Sequence, residues 1–172
     1  SLVGSEMCIR DRLMEKDYFG TRRVAIVKDL YEKDQDRMHL DCVFSILSQD
    51  CVLMLEDMMG EESPTRRLVD EYTRGDDGAY TKSRENVEFS SYLRDQGYNI
   101  ITVTGDEQLQ YACNVVNLGE SCILSCHAPT ARKICRSKHF SGTMEFLPYS
   151  AITAMYGALH CSCLLYTSPS PR

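Results

Sequence analysis

No stretch of the 172-residue chain holds the run of about 18 apolar residues that a helical membrane span requires, so none is expected. Basic residues are in deficit, 19 against 25 acidic ones. The resulting net charge of −6 and a pI of about 5.2 argue against a nucleic-acid groove as the main function. Phosphate loops, GxSxG elbows and kinase signatures are missing, which removes the reaction classes they serve. The opening residues lack a signal-peptide shape, and the cytoplasm is the expected compartment. Apolar residues, by contrast, are plentiful. At 43% hydrophobic the chain is too apolar for disorder, and its length suits one domain with a sizeable core.

The two ends differ from the middle. Residues 1–11 (SLVGSEMCIRD) and 163–172 (CLLYTSPSPR) show no period that joins the rest, and the second closes in a Pro/Ser cluster. Both resemble translated sequencing-adaptor scars and are set outside the fold reasoning. On that expectation residues 12–162 are the genuine segment, and the gene continues past both ends. Of the nine cysteines this leaves seven, Cys42, Cys51, Cys113, Cys122, Cys126, Cys135 and Cys161. An odd number scattered through apolar segments fits small buried hydrophobes in a reducing compartment better than a disulfide frame.

Two β-rich runs, Leu40–Leu47 and Cys51–Leu55, flank a Ser48-Gln49-Asp50 turn and read as a hairpin. Gly60–Arg84 is polar, with a short helix expected over Pro64–Tyr72 behind a Ser63 cap. Asn86–Gln96 has helical spacing ended by Gly97, and Asn99–Val103 is a strand. The order then returns: strands at Asn114–Leu118 and Ile123–Cys126 around a Gly119-Glu120-Ser121 turn, a helix over Pro129–Lys138, and a strand at Met144–Leu147. A turn over Ser150–Gly157 leads to Ala158–Cys161. Strand-strand-helix-strand, stated twice, predicts repeated modules packed around an axis.

Several constellations could carry chemistry. Met38-His39-Leu40-Asp41, read as a strand, puts His39 and Asp41 on one face. His160-Cys161-Ser162 places a cysteine after a turn, the position of a candidate nucleophile. Taken singly, a His beside an Asp is more often a structural pair, and a cysteine more often a buried small residue. Cys122-x3-Cys126-His127 with Cys135-x3-His139 imitates zinc spacing but lacks the tight turn of a zinc knuckle, and no metal is expected. Gly75-Asp76-Asp77-Gly78 lacks the remaining ligands of a calcium loop and reads as a solvated turn.

In combination, His39-x-Asp41 behind a Met, then Asn114-x-x-Asn117-Leu118-Gly119, then His160-Cys161-Ser162 resemble the guanidine-modifying superfamily of arginine deiminases and amidinotransferases. The resemblance covers nearly all of 12–162. It implies an α/β (α+β) fold, a pentein-type five-bladed α/β propeller of strand-strand-helix-strand modules. Here the propeller is expected to be truncated, with 12–162 as the C-terminal part of the domain. It implies a cysteine-dependent guanidine hydrolase of arginine metabolism, acting on arginine or a related guanidino compound through a covalent thiouronium. In that reading Cys161 is the nucleophile, His39 the general acid/base and Asp41 one of the carboxylates clamping the guanidinium. These side chains are expected to converge on one cleft. The alternatives are an amidinotransferase passing the amidino group to an acceptor amine, and a non-enzymatic interaction or zinc-binding module. The expected partner is a small guanidino substrate, with no nucleic acid, membrane or cofactor; a homo-oligomer is compatible.

Two features depart from the family pattern. Members carry further acidic residues upstream of the His-x-Asp, and these are expected to be absent here. The Gly-rich run that precedes the cysteine in arginine deiminases is replaced by Met155-Tyr156-Gly157-Ala158-Leu159, and His160 is more like amidinotransferases and agmatine deiminases.

Overall fold

All five residues of Cys51–Leu55 are buried, and the alternation of a strand divides the first four between two cores. Cys51 and Leu53 join Leu47, Ile101, Val103, Ile123 and Ile134 on one side. Val52 and Met54 join Val43, Val69, Phe89, Tyr92 and Leu93 on the other. A strand buried on both faces reads as a continuous apolar run, which is why this segment was legible.

The computed structural model describes residues 2–30, 37–153 and 157–162. The expected tail at 163–172 and the pair Met155 and Tyr156 lie outside the described residues. In chain order the elements are α1 (Leu2–Glu15), β1 (Arg23–Lys28), a 3-10 turn (Leu40–Cys42), β2 (Phe44–Ile46), β3 (Cys51–Leu55), a second 3-10 turn (Glu56–Met58), β4 (Leu68–Arg74), β5 (Tyr80–Glu88), α2 (Phe89–Asp95) and β6 (Asn99–Val103). Then follow α3 (Gly105–Leu109), β7 (Val116–Asn117), β8 (Cys122–Ser125), α4 (Ala128–Arg136), β9 (Thr143–Phe146), α5 (Ser150–Thr153) and α6 (Leu159–Ser162). Among the described residues no helix is long and apolar enough to cross a membrane.

The architecture is mixed α/β with three small sheets, ordered β1-β4-β5, β2-β3-β6 and β7-β8-β9. The second and third sheets repeat one plan. In each, the first two strands pair antiparallel and the third joins the second in parallel after a helix, α2 or α4. The repeat extends to single hydrogen bonds. Leu47 N–H to Cys51 O and Leu118 N–H to Cys122 O close the two hairpins, both at 2.9 Å. Asn99 N–H to Asp50 O (2.8 Å) and Thr143 N–H to Ser121 O (3.0 Å) then seat the two parallel strands. Gly119, at φ +87°, turns the second hairpin, and Asn117 Oδ1 accepts its N–H at 2.8 Å.

Strands β4 and β5 are inserted into the first module between β3 and α2 and form the first sheet with β1, which precedes that module; here the structure differs from the sequence reading. Residues expected as a helix over Pro64–Tyr72 end in β4, the central strand of that sheet, buried from Leu68 to Tyr72. Ser63 caps a tight turn instead: its hydroxyl accepts Thr65 N–H and donates to Asp57 O. Pairing with β1 and β5 overrides the local capping signal. Likewise β5 runs on to Glu88, so α2 starts three residues later than its spacing implied. The Glu88 carboxylate caps it, accepting the N–H groups of Ser90 (2.9 Å) and Ser91 (2.8 Å). At the other end α1 runs straight across the expected boundary at residue 11, and Arg10 donates to the Tyr72 hydroxyl at 3.0 Å.

Candidate active site

The segment after β6 brings the second module against the first. Thr104 caps α3 with a reciprocal box: its hydroxyl accepts Glu107 N–H while the Glu107 carboxylate accepts Thr104 N–H. The chain then reverses at Tyr111 (φ +62°) and delivers Asn114, fully buried, between the core residues Cys113 and Val115. Asn117 continues the contact, donating to Ile46 O (3.3 Å) and Leu47 O (3.1 Å) on the first hairpin.

Asp41 faces Asn114 across this seam. The strand expected over Leu40–Leu47 is shorter than its composition suggests: Leu40–Cys42 forms a 3-10 turn, with Cys42 N–H to His39 O and Val43 N–H to Leu40 O, both 3.1 Å. Pairing with β3 starts only at Phe44. The period-two argument for His39 and Asp41 therefore fails. His39 precedes the turn with extended backbone and an exposed side chain, which makes no side-chain hydrogen bond among the described residues.

Asp41 points inward instead. Its Oδ2 lies 3.0 Å from His160 Nδ1, 3.3 Å from Cys161 Sγ and 3.1 Å from Asn114 Nδ2. An ionised carboxylate only accepts, so His160 carries its proton on Nδ1 and the Cys161 thiol donates. Burial would raise the Asp41 pKa, but the hydrogen bonds from His160, Cys161 and Asn114 outweigh it and hold the carboxyl below its ordinary value. Asn114 binds the other side of the same cluster. Its Oδ1 accepts the backbone N–H of His160 (2.9 Å) and Cys161 (3.4 Å), and its Nδ2 donates to Cys161 Sγ (3.2 Å).

Cys42 is the second sulfur beside Asp41, at 3.9 Å from Oδ1. Burial, reinforced by the Asp41 charge, pushes its thiol up to about 12, so it stays protonated at neutral pH. Cys161, in contrast, is exposed. An open groove of about 480 Å3 leads away from Asp41 and His160 along Leu40, Phe44, Ile46 and Val116.

Of the residues singled out from sequence, the structure brings Cys161 and Asp41 together and leaves the His39 side chain in solvent. His160 and Asn114, which the motifs contain without an assigned part, occupy the cluster. Comparison with known proteins adds one decisive observation: a family model for arginine deiminase matches residues 5–166.

The chain belongs to the arginine deiminase family. It is also 27% identical over 184 aligned residues to an arginine deiminase of Halobacterium salinarum, an alignment that covers 87% of this chain and 37% of that protein. The chain thus spans well under half the length of the curated relative it matches. The family match extends into both terminal segments set aside on sequence grounds. Among the described residues no three His, Cys, Asp or Glu side chains gather into a group that could hold a metal ion. His127 is instead buried against Thr130, with Nδ1 2.8 Å from its hydroxyl.

Proposed function

We propose that the protein carrying this chain is a guanidino hydrolase that acts on arginine or a related guanidino compound, with Cys161 as nucleophile. The 3.3 Å contact between the Cys161 thiol and the Asp41 carboxylate carries the reading. A guanidinium is planar and cationic, and a carboxylate binds its N–H fork bidentately. Seated on Asp41, its central carbon comes within reach of Sγ. The pairing does a second job. A bound cation offsets the Asp41 charge that a thiolate on Cys161 faces.

The thiolate then adds to the guanidinium carbon. In the tetrahedral intermediate an amino group takes a proton from an imidazolium and leaves as ammonia as its C–N bond breaks, and an S-alkylthiouronium remains on Cys161. Water, deprotonated by the same imidazole, adds to that carbon; the C–S bond breaks and a ureido product leaves. By resemblance His39 is this acid/base. Catalytic hydrogen bonds often form only with substrate in place, so an exposed His39 beside the Asp41 turn is compatible with the part. His160 orients Asp41. The two strand-strand-helix-strand modules are read as blades of an α/β propeller.

The test incubates the protein with arginine and follows ammonia release together with the mass of the Cys161 peptide. Cys161→Ser is expected to abolish both the ammonia and the thiouronium adduct. His39→Ala should slow turnover by about 10²–10⁴-fold, the range of general acid–base catalysis. Undiminished ammonia from Cys161→Ser would refute the reading, and ornithine released without ammonia would reassign it to amidino transfer.

A further inference from the structure

A thiol next to a carboxylate raises an electrostatic problem that the nucleophile and the clamp cannot solve between them. While Cys161 is protonated, its S–H bonds to Asp41 Oδ2 at 3.3 Å. Once the proton leaves, that bond is lost and two like charges stand at the same separation. Among the described residues one N–H group reaches Sγ to compensate, the Asn114 side-chain amide at 3.2 Å. The same amide nitrogen donates to Asp41 Oδ2 at 3.1 Å and to Asp41 O at 3.3 Å. It therefore sits between the two charges that must coexist.

The geometry points to Asn114 as a positioning residue that makes the thiolate of Cys161 tolerable beside Asp41 and sets where that sulfur lies. The inference rests on the reading of Cys161 as the nucleophile. Three observations carry it. Asn114 is fully buried, so the N–H groups are not shared with solvent. Its Oδ1 accepts the N–H groups of His160 and Cys161, so the donor is anchored to the backbone that bears the nucleophile. It also lies on the segment between the modules, so it couples Asp41 of the first to Cys161 beyond the second. An amide meets this need where no other side chain of its size does, because it offers one acceptor for the backbone and two donors for the charges.

The test needs no substrate. Iodoacetamide alkylation of Cys161 is followed from neutral to alkaline pH in the full chain carrying Cys163→Ser. In that background Cys161 is the single cysteine of its tryptic peptide, and mass spectrometry reads its rate. Loss of a hydrogen bond to a charged group in Asn114→Leu should slow alkylation at neutral pH about tenfold while the alkaline limit is kept. Asn114→Ala, which adds no bulk, is the second variant and carries the same expectation. In an Asp41→Asn background the thiolate faces no charge, and the Asn114 effect should shrink.

A change of rate that is uniform across pH would show a purely structural role and overturn the inference. So would an Asn114 effect undiminished by Asp41→Asn. If arginine leaves no adduct on Cys161 in unmodified protein, the functional reading falls instead, and the alkylation profile still decides the part of Asn114.

Discussion

Leu53→Ala should cost this chain a large fraction of its stability. Leu53 is fully buried at the middle of β3, with Ser45 and Ile101 as its register partners on β2 and β6. Its side chain enters the cluster where Leu47, Ile101 and Val103 of the first module meet Val115, Ile123 and Ile134 of the second. Truncating a buried leucine costs roughly 2–5 kcal/mol, depending on how far the walls can close on the void. Here both neighbouring strands are held in register by backbone hydrogen bonds, so the walls are stiff and the cost falls near about 3–4 kcal/mol. Against a total of about 5–15 kcal/mol that is a severe loss. For a chain of this size it lowers the melting temperature by roughly 6–16 °C, at about 2–4 °C per kcal/mol. Urea unfolding followed by circular dichroism measures it, with Ile46→Ala, 52% exposed on β2, as the surface comparison. A loss for Leu53→Ala below about 1 kcal/mol at an unchanged denaturant slope would refute the view that the two modules share one close-packed core.

Gly142→Ala should destabilise too, less strongly and by the opposite means. A Cβ there would collide with the Ser121 carbonyl oxygen and lie 2.7 Å from the Phe140 ring, and the carbonyl is the acceptor that seats β9. Overpacking of this kind costs about 1–3 kcal/mol, and the same urea titration reads it; an unchanged midpoint would show that the turn can shift freely. Glu88 makes stability depend on pH. Burial would raise its pKa, but the N–H groups of Ser90 and Ser91 and the Ser90 hydroxyl more than offset this and lower it. A depressed carboxyl stabilises the fold above its unfolded value of about 4.3, and that contribution is lost as pH falls through the folded value. Glu88→Gln should therefore be less stable than the parent at neutral pH, with the gap closing on acidification below about pH 4; a gap that stays constant would refute the assignment.

What was legible in the sequence was what neighbouring residues decide. The Ser48–Asp50 and Gly119–Ser121 turns, the apolar run Cys51–Leu55 and the strand Asn99–Val103 each rest on local chemistry, and each stands where the sequence puts it. The repeat of strand-strand-helix-strand follows from those local signals in order. The first sheet was not legible. Arg23–Lys28 and Leu68–Arg74 become strands by pairing with one another across forty or more positions, and the local signals at Ser63 and Pro64 favour a helix start. Thr104-x-x-Glu107 is a capping signal readable in the sequence, and it starts the helix α3 that leads the chain toward Asn114.

The candidate site divides along the same line. Cys161 and Asp41 could be named because a motif resemblance supplied them, although the strand geometry invoked for His39 and Asp41 was wrong. No spacing rule announces that Asn114 will meet residues 41, 160 and 161, because that contact exists only once Asn117 has tied the second hairpin to Ile46 and Leu47. His160 reaches Asp41 because its own N–H is held by Asn114 Oδ1. The position of the nucleophile is thus set at the seam between modules. A substitution that weakens the seam, such as Leu53→Ala, should therefore disturb the Cys161 environment through the core residues Cys113 and Val115 that flank Asn114.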